Sequence, residues 1–272
     1  MAASLPSARP IALTIAGSDS GGGAGIQADL KTFAALGVYG CSAISSLTAQ
    51  NTCGVQGVFP VPPDFVKAQI YSVLSDIPVG AIKTGMLATA DIIRAVAEAL
   101  TAFAPVPLVL DPVMIATSGD RLLAEDAIAC LITDLLPRAT LITPNLLEAA
   151  ALLNQAPAID VRAMRMQAEK LRDLGAAAVL IKGGHSAGDN AVDVLLQGDA
   201  FEEFSAPRIA TRNTHGTGCT LASAIAAGLA KGLSLRDAVA AAKVYLHQAL
   251  SHGEHMTLGK GAGPVHHFFG FY

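Results

Sequence analysis

The chain has 272 residues, 52% hydrophobic and 15% charged, with 18 basic against 22 acidic side chains and a formal net charge of −4. That length and apolar content allow one large α/β domain or two smaller ones around a sizeable core. The near balance of charge, without any Lys/Arg run, argues against nucleic-acid binding, and despite a mean hydropathy of +0.48 no apolar run reaches the ~18 residues of a membrane-spanning helix.

Met1 to Pro10 has no apolar core of a signal peptide and is expected to be flexible. Cysteines 41, 53, 130 and 219 show no CxxC spacing and read as free thiols in a reducing cytoplasm. No Cys or carboxylate cluster joins the pairs His252/His255 and His266/His267 into a zinc pattern.

In chain order, Ile11–Ala16 has the length and apolarity of a strand, cut off by the glycine loop Gly17–Gly23. An amphipathic helix follows from about Gly25 to Leu36, so the chain opens as a βαβ unit. Within the loop, Gly23-Ala24-Gly25-Ile26-Gln27-Ala28 fits the dinucleotide fingerprint G-x-G-x-x-A. That reading needs an acidic residue about 20 positions further on. None lies between Thr32 and Pro63, so a nicotinamide cofactor is not supported.

The spacing then predicts a strand over Ser42–Thr48 ending at Gln50-Asn51, a loop or hairpin over 51–63 that is a candidate lid, and a helix over 64–74. Strand Ala81–Lys83 ends at Thr84-Gly85-Met86 and leads to a helix over 90–103. Strand Pro107–Leu110 ends at Asp111-Pro112-Val113-Met114, before a helix over 124–135. Strand Thr140–Ile142 ends at Thr143-Pro144-Asn145, and two helices flank the 155–160 loop. Strand Ala178–Ile181 ends at Lys182-Gly183-Gly184-His185. Edge strands over 191–196 and 202–209, long helices over 217–231 and 235–251, and a glycine-rich tail complete the pattern. No repeat or linker divides it, so one domain over 1–272 is expected.

Such alternation specifies a mainly parallel sheet covered on both faces. Ligands then bind beyond the carboxyl ends of the strands, where polar and glycine residues recur at Gly17–Gly23, Gln50-Asn51, Thr84-Gly85, Asp111, Asn145 and Lys182–Gly184. One large site accounts for all of them. Asn213-Thr214-His215-Gly216-Thr217-Gly218-Cys219-Thr220 opens a helix of small residues, leaving backbone N–H groups and the positive dipole end facing the same spot. With no Lys or Arg in that turn, an anion is held mainly by backbone donors, which suits charge that develops during phosphoryl transfer.

Residues 17–31, Gln50-Asn51-Thr52, Lys83-Thr84-Gly85-Met86, Asp111–Met114, Thr143–Asn145, Lys182–His185, 213–220 and 261–267 together resemble the hydroxymethylpyrimidine/phosphomethylpyrimidine kinases of thiamin biosynthesis, in that family's order. The resemblance implies a single-domain ribokinase-like three-layer α/β/α fold, use of ATP and Mg²⁺, and a homodimer. It further implies phosphorylation of a small-molecule hydroxymethylpyrimidine, then of its monophosphate. Pyridoxine/pyridoxal kinase is the alternative; a non-catalytic pyrimidine-binding protein would be expected to lose Gly216, Gly218 or Lys182.

On this reading, Gly216, Thr217 and Gly218 form the anion hole. Cys219 stands where related sugar kinases often carry an Asp base. A thiol lowered at a helix N-terminus can accept the hydroxyl proton, or Cys219 can serve as a small hydrophobe lending its N–H. Lys182, Asn145, Thr214 and His215 are expected at the ATP phosphates, and Asp111 and Glu148 near Mg²⁺ through water. Gln50 is expected to read the ring edge, where some relatives have Glu, with Val113, Gly17 and Met86 around the ring. Asp29 either contacts ring substituents or faces solvent.

Overall fold

The computed structural model describes residues 9–114, 125–184 and 188–272. Nine strands form one sheet: β1 Ile11–Asp19, β2 Tyr39–Asn51, β3 Gly54–Pro60, β4 Ala81–Thr84, β5 Leu108–Leu110, β6 Leu141–Ile142, β7 Ala178–Ile181, β8 Asn190–Gln197 and β9 Ala200–Pro207. Their order across the sheet is β3-β2-β1-β4-β5-β6-β7-β8-β9. The pairs from β2 through β7 are parallel. Hairpin β2–β3 and the strands β8 and β9 make both edges antiparallel.

Eight α-helices accompany the described strands: α1 Gly25–Ala35, α2 Pro63–Leu74, α3 Ala90–Thr101, α4 Glu125–Cys130, α5 Leu146–Leu153, α6 Val161–Asp173, α7 Thr217–Ala230 and α8 Leu235–Gly253. Alternate strand residues feed opposite layers, as the two-residue period of a strand requires. Leu13, Ile15, Ile82, Leu110 and Ile181 pack with side chains of α2, α3, α5 and α6. Ala12, Ala81, Val109 and Leu180 pack with α1, α7 and α8. The three-layer α/β/α expectation therefore holds. Small residues let α7 lie close to its neighbour: a Cβ on Gly228 would sit 2.9 Å from the Cβ of Ala238 on α8.

The chain runs from β1 outward to β2 and β3, then crosses back to lay β4 on the other side of β1. Strand order reverses there, and the crevice beyond the carboxyl ends of β1 and β4 is the place where such sheets bind ligands.

Several sequence expectations are corrected. Strand β1 does not stop at Ala16 but continues through Gly17 and Ser18 to Asp19, which pairs with Thr48 across a register shift. Of the two alternatives for 51–63, the hairpin is the one observed, with β3 paired to β2 from Ser46–Pro60 to Asn51–Gly54. The helix expected to begin at Ala124, which lies outside the described residues, loosens after Cys130 into a π turn over Leu131–Leu135 and a 3₁₀ turn over Leu136–Arg138. Pro137 lacks the N–H that would continue an α-helix. His185 and the first eight residues also lie outside the described set. Among the described residues, no helix is long and apolar enough to cross a membrane.

Candidate active site

A cavity of about 780 Å³ lies beyond the strand ends, lined from Gly17 and Asp19 at one end to Arg208, Ile209, Lys243 and His247 at the other. Every expected site residue except Asp29 borders it.

The first wall is built by the end of β1. Asp19 is buried, and its carboxylate accepts the N–H groups of Gly21 (2.8 Å), Gly23 (3.0 Å) and Ala24 (2.8 Å) together with His215 Nε2 (2.9 Å). Burial raises its pKa, but the hydrogen bonds from His215, Ala24 and Gly21 outweigh burial and hold the group below the usual carboxylate range. Asp19 is thus an anionic pin for the whole glycine loop. The sequence reading passed over it because it was counted as part of a turn.

The same His215 nitrogen lies 3.3 Å from the Gln50 amide, which in turn is 3.0 Å from Thr48 Oγ1. One imidazole nitrogen cannot donate to Asp19 and accept from Gln50 at once. The carboxylate takes the proton, so Gln50 Nε2 only stands beside the ring, while Gln50 Oε1 accepts from Thr48 Oγ1. The same Thr48 hydroxyl also lies 3.0 Å from the Ser18 carbonyl, so its one proton serves two acceptors. His215, expected at the ATP phosphates, is therefore placed on the Gln50 side of the cavity. Beside it, Gly17 donates its N–H to the Met86 carbonyl (3.1 Å). A Cβ on Gly17 would meet the Met86 methyl at 2.8 Å, so the bare backbone makes room for the thioether wall.

The second wall joins the ends of β5, β6 and β7. Lys182 Nζ donates to Asp111 Oδ1 at 2.8 Å and lies 3.9 Å from Glu148 Oε2. Asp111, almost fully buried, also accepts from Thr143 Oγ1 (3.1 Å). Burial pushes the Glu148 carboxyl up to about 7, against the pull of Lys182 and with further push from Asp111. Asn145 caps α5: its side-chain oxygen accepts the N–H groups of Leu147 and Glu148 (2.9 Å each), while Glu148 accepts the Asn145 N–H (2.8 Å). The Asn145 amide oxygen, expected at the ATP phosphates, is thus committed to the helix. Lys182 is an ion-paired, nearly buried residue rather than a solvated turn lysine.

The third wall is the start of α7. Gly216 has φ +78°, and no side chain caps the helix. Helix geometry leaves the N–H groups of Gly218 and Cys219 without an intrahelical acceptor. A Cβ on Gly218 would stand 3.2 Å from Lys182 Nζ and 3.7 Å from Asp111 Oδ2, so the second and third walls meet at this glycine. Behind it, Thr220 Oγ1 donates to the Gly216 carbonyl (2.8 Å), which obliges His267 Nε2, 3.1 Å away, to donate to Thr220. Burial pushes His267 down to about 4, keeping the ring neutral.

Two expectations are corrected at the floor and beneath it. Cys219 accepts the Gly25 N–H at the start of α1, yet its thiol is pushed up to about 11 rather than lowered. Burial dominates, with Lys83 pulling down and Asp29 and Asp111 pushing up. Asp29 neither faces solvent nor borders the cavity. It is fully buried, accepting Lys83 Nζ at 2.9 and 2.8 Å, Thr14 Oγ1 at 2.6 Å and Ser223 Oγ at 2.6 Å.

Sequence reasoning also missed the far end of the cavity. There Lys243 on α8 donates to Asp193 Oδ2 (2.7 Å), and Asp193 Oδ1 accepts the Gly183 N–H (3.0 Å). No motif marks these positions, because β8 and α8 bring them together only through the antiparallel edge.

A family model described as phosphomethylpyrimidine kinase matches residues 19–266. The hydroxymethylpyrimidine/phosphomethylpyrimidine kinase of Rhizobium meliloti is 56% identical, over 95% of this chain and 97% of that protein. A phosphomethylpyrimidine kinase structure from Clostridium difficile superposes with a TM-score of 0.79 at 44% identity, covering 88% of this chain and 99% of that one. An ADP complex of Bacillus subtilis pyridoxal kinase gives a TM-score of 0.87 at 40% identity, covering 96% and 98%.

Proposed function

The chain belongs to the phosphomethylpyrimidine kinase family, and we propose that it transfers the γ-phosphoryl group of ATP to 4-amino-5-hydroxymethyl-2-methylpyrimidine and then to its monophosphate. The observation that carries this reading is the meeting of the uncapped α7 start with Lys182 and Asp111 at Gly218, opposite an amide at Gln50 that can read a ring edge. Binding of the bulky, charged nucleotide suits the Lys243 end, and the flat substrate suits the Gln50–Met86 end. Transfer then occurs between them, at the α7 start.

In this arrangement the Gly218 and Cys219 N–H groups receive the charge that builds on the transferring oxygens, where one such donor is worth about 2.7–4 kcal/mol of barrier. Lys182 holds a phosphate oxygen while staying paired with Asp111. Asp111 and Glu148 offer carboxylate oxygens side by side, a donor set that fits Mg²⁺ shared with nucleotide phosphates. Asp111 and Glu148 would hold the metal, which would supply neutralisation of phosphate charge. Among the described residues no cluster of three or more His, Cys, Asp or Glu side chains makes a cation cage of its own.

Cys219 is assigned the substrate proton, which its thiolate form accepts. Because the thiol titrates at about 11, the thiolate fraction and hence kcat rise with pH across the neutral-to-alkaline range. Cys219→Ala is expected to lower kcat by about 10²-fold or more and to flatten that rise. Near-normal turnover in the variant would remove Cys219 from the chemistry.

The function is tested by coupled ADP release with the hydroxymethylpyrimidine, then with its monophosphate, and with pyridoxine as comparison. Turnover with both pyrimidines is expected, and silence with both overturns the reading. Faster turnover of pyridoxine would favour the second reading, a pyridoxal kinase like the B. subtilis neighbour. A homodimer in the cytoplasm is part of the proposal. The exposed Leu47, Val58 and Phe59 on β2 and β3, with Phe65 and Tyr71 on α2, supply the apolar surface for a second copy.

A further inference from the structure

The most buried charges in the described chain form a pair at the cavity floor, where Lys83 borders the cavity and Asp29 does not. Lys83 and Asp29 are both at 0% exposure, joined through both carboxylate oxygens, and the pair is fastened by Thr14 of β1 and Ser223 of α7. Burying an ion pair this completely carries a desolvation cost that packing alone would avoid. Its position offers a reason. Ser223 lies one helical turn beyond Cys219, so the two side chains stack on one face of α7. Ser223 reaches down to Asp29, and Asp29 belongs to the helix whose first N–H, from Gly25, is donated to the Cys219 sulfur. The thiol thus stands directly above the clamp that fixes the ammonium.

We propose that Lys83, oriented by Asp29, Thr14 and Ser223, is a positioning residue for the reaction: a fixed positive charge at the cavity floor that, with the Gly25 N–H, stabilises negative charge on the Cys219 sulfur. The proposal rests on the reading of Cys219 as proton acceptor. In the step it supports, the substrate O–H bond breaks as an S–H bond forms at Cys219. The substrate oxygen bonds to the γ-phosphorus, and the bond from phosphorus to the bridging oxygen breaks with its electron pair leaving on ADP. The proton on sulfur is afterwards lost to solvent.

Four charged groups act on this sulfur from separate elements: Lys83 from β4, Asp29 from α1, Asp111 beyond β5 and Lys182 beyond β7. Of these, Lys83 is the strongest one favouring the thiolate, and Asp29 the strongest opposing it. Lys182 is engaged by Asp111 and Glu148.

The test is the rate of iodoacetamide alkylation of Cys219 in the full-length protein without substrate, followed by peptide mass spectrometry across the alkaline pH range. The exposed Cys53 provides an internal reference. Lys83→Met should slow Cys219 alkylation by about threefold for each unit that the thiol rises, the lost thiolate outweighing the gain in nucleophilicity. Asp29→Asn, which keeps an oxygen for Thr14 and Ser223, should speed it. If Lys83→Met alone does not fold, the double variant replaces it. Asp29→Asn/Lys83→Met differs from Asp29→Asn only by the ammonium and should react more slowly than that single variant. Equal Cys219 rates in these folded proteins would overturn the proposal. That result is separate from the fate of the proton-acceptor reading, which turnover of Cys219→Ala decides without reference to Lys83.

Discussion

Gly216→Ala is expected to reduce kcat/KM by about 10²–10³-fold, the loss seen when an oxyanion-type donor is displaced, with KM for the pyrimidine changing much less. Gly216 holds φ +78°, a conformation strained by about 1–2 kcal/mol for residues bearing a Cβ. A Cβ there would also overlap the carbonyl oxygen of Gly23 and crowd the Cα of Ala24 at 3.2 Å. Both obstacles are backbone, so neither can swing aside. The α7 start must retreat from the Gly23 turn, carrying the N–H groups of Gly218 and Cys219 away from the transferring phosphoryl. Because Gly23 and Ala24 donate to Asp19, the turn cannot yield without disturbing the His215–Gln50 side as well. Gly218→Ala is the comparison: its Cβ meets the flexible end of Lys182 at 3.2 Å, which can give way. Steady-state kinetics should therefore rank Gly216→Ala far below Gly218→Ala. An order reversed, or a Gly216→Ala enzyme of full activity, would show that the α7 N–H groups do not hold the reacting phosphate.

Lys182→Met is expected to damage stability and activity together, and the stability loss should depend on pH. Without the ammonium, the buried carboxylates of Asp111 and Glu148 face one another uncompensated, a situation that typically costs about 3–5 kcal/mol. Glu148 already titrates at about 7, above the ordinary 4.5. For a carboxyl with a raised native pKa, the folded state binds more protons than the unfolded one, so stability falls as pH rises from the ordinary value through the native value. Removing Lys182 raises that native value further. Urea unfolding should consequently show a small deficit near pH 5 and the full deficit near pH 8, as the linkage sign requires, while ADP release stays depressed at both. A deficit that is the same at both pH values would mean that Lys182 contributes packing and not charge compensation.

The architecture was legible because β/α alternation is written in hydrophobic period, and the strand ends were legible because glycine, asparagine and aspartate interrupt it. What escaped was the depth of particular polar residues. Asp29 sits at an unremarkable helical position, and nothing in its neighbourhood announces a lysine 54 residues later that would bury it. Lys83 was visible only as part of the run Lys83-Thr84-Gly85-Met86. It precedes the strand end, and a central strand fully buried on both faces has no outward position for a lysine. Asp19 escaped because β1 outlasts its apolar run. The helix-terminal cysteine was expected to be acidic because the helix dipole is a local signal, whereas the desolvation that overrides it arises from burial in the folded chain, which no local window contains. His215 was assigned by its neighbours in sequence, yet its ring is oriented by Asp19, 196 residues away.

That last separation bears on how the enzyme comes into being. Asp19 waits for His215, Asp29 waits for Ser223 across 194 residues, and Thr52 receives the Gly261 N–H across 209. Closing loops of this length adds little to the entropy cost of the folded state, since that cost grows only with the logarithm of loop length, but contacts so distant in sequence form late. On a ribosome, the strands β1 to β7 can be laid down and paired while the site still lacks α7 and the segment around Gly261. Nascent chains are thus inert toward ATP until the last quarter of the sequence has emerged and docked. A truncation in that stretch removes α7 and α8, and with them both the anion-binding helix start and the cover of one sheet face.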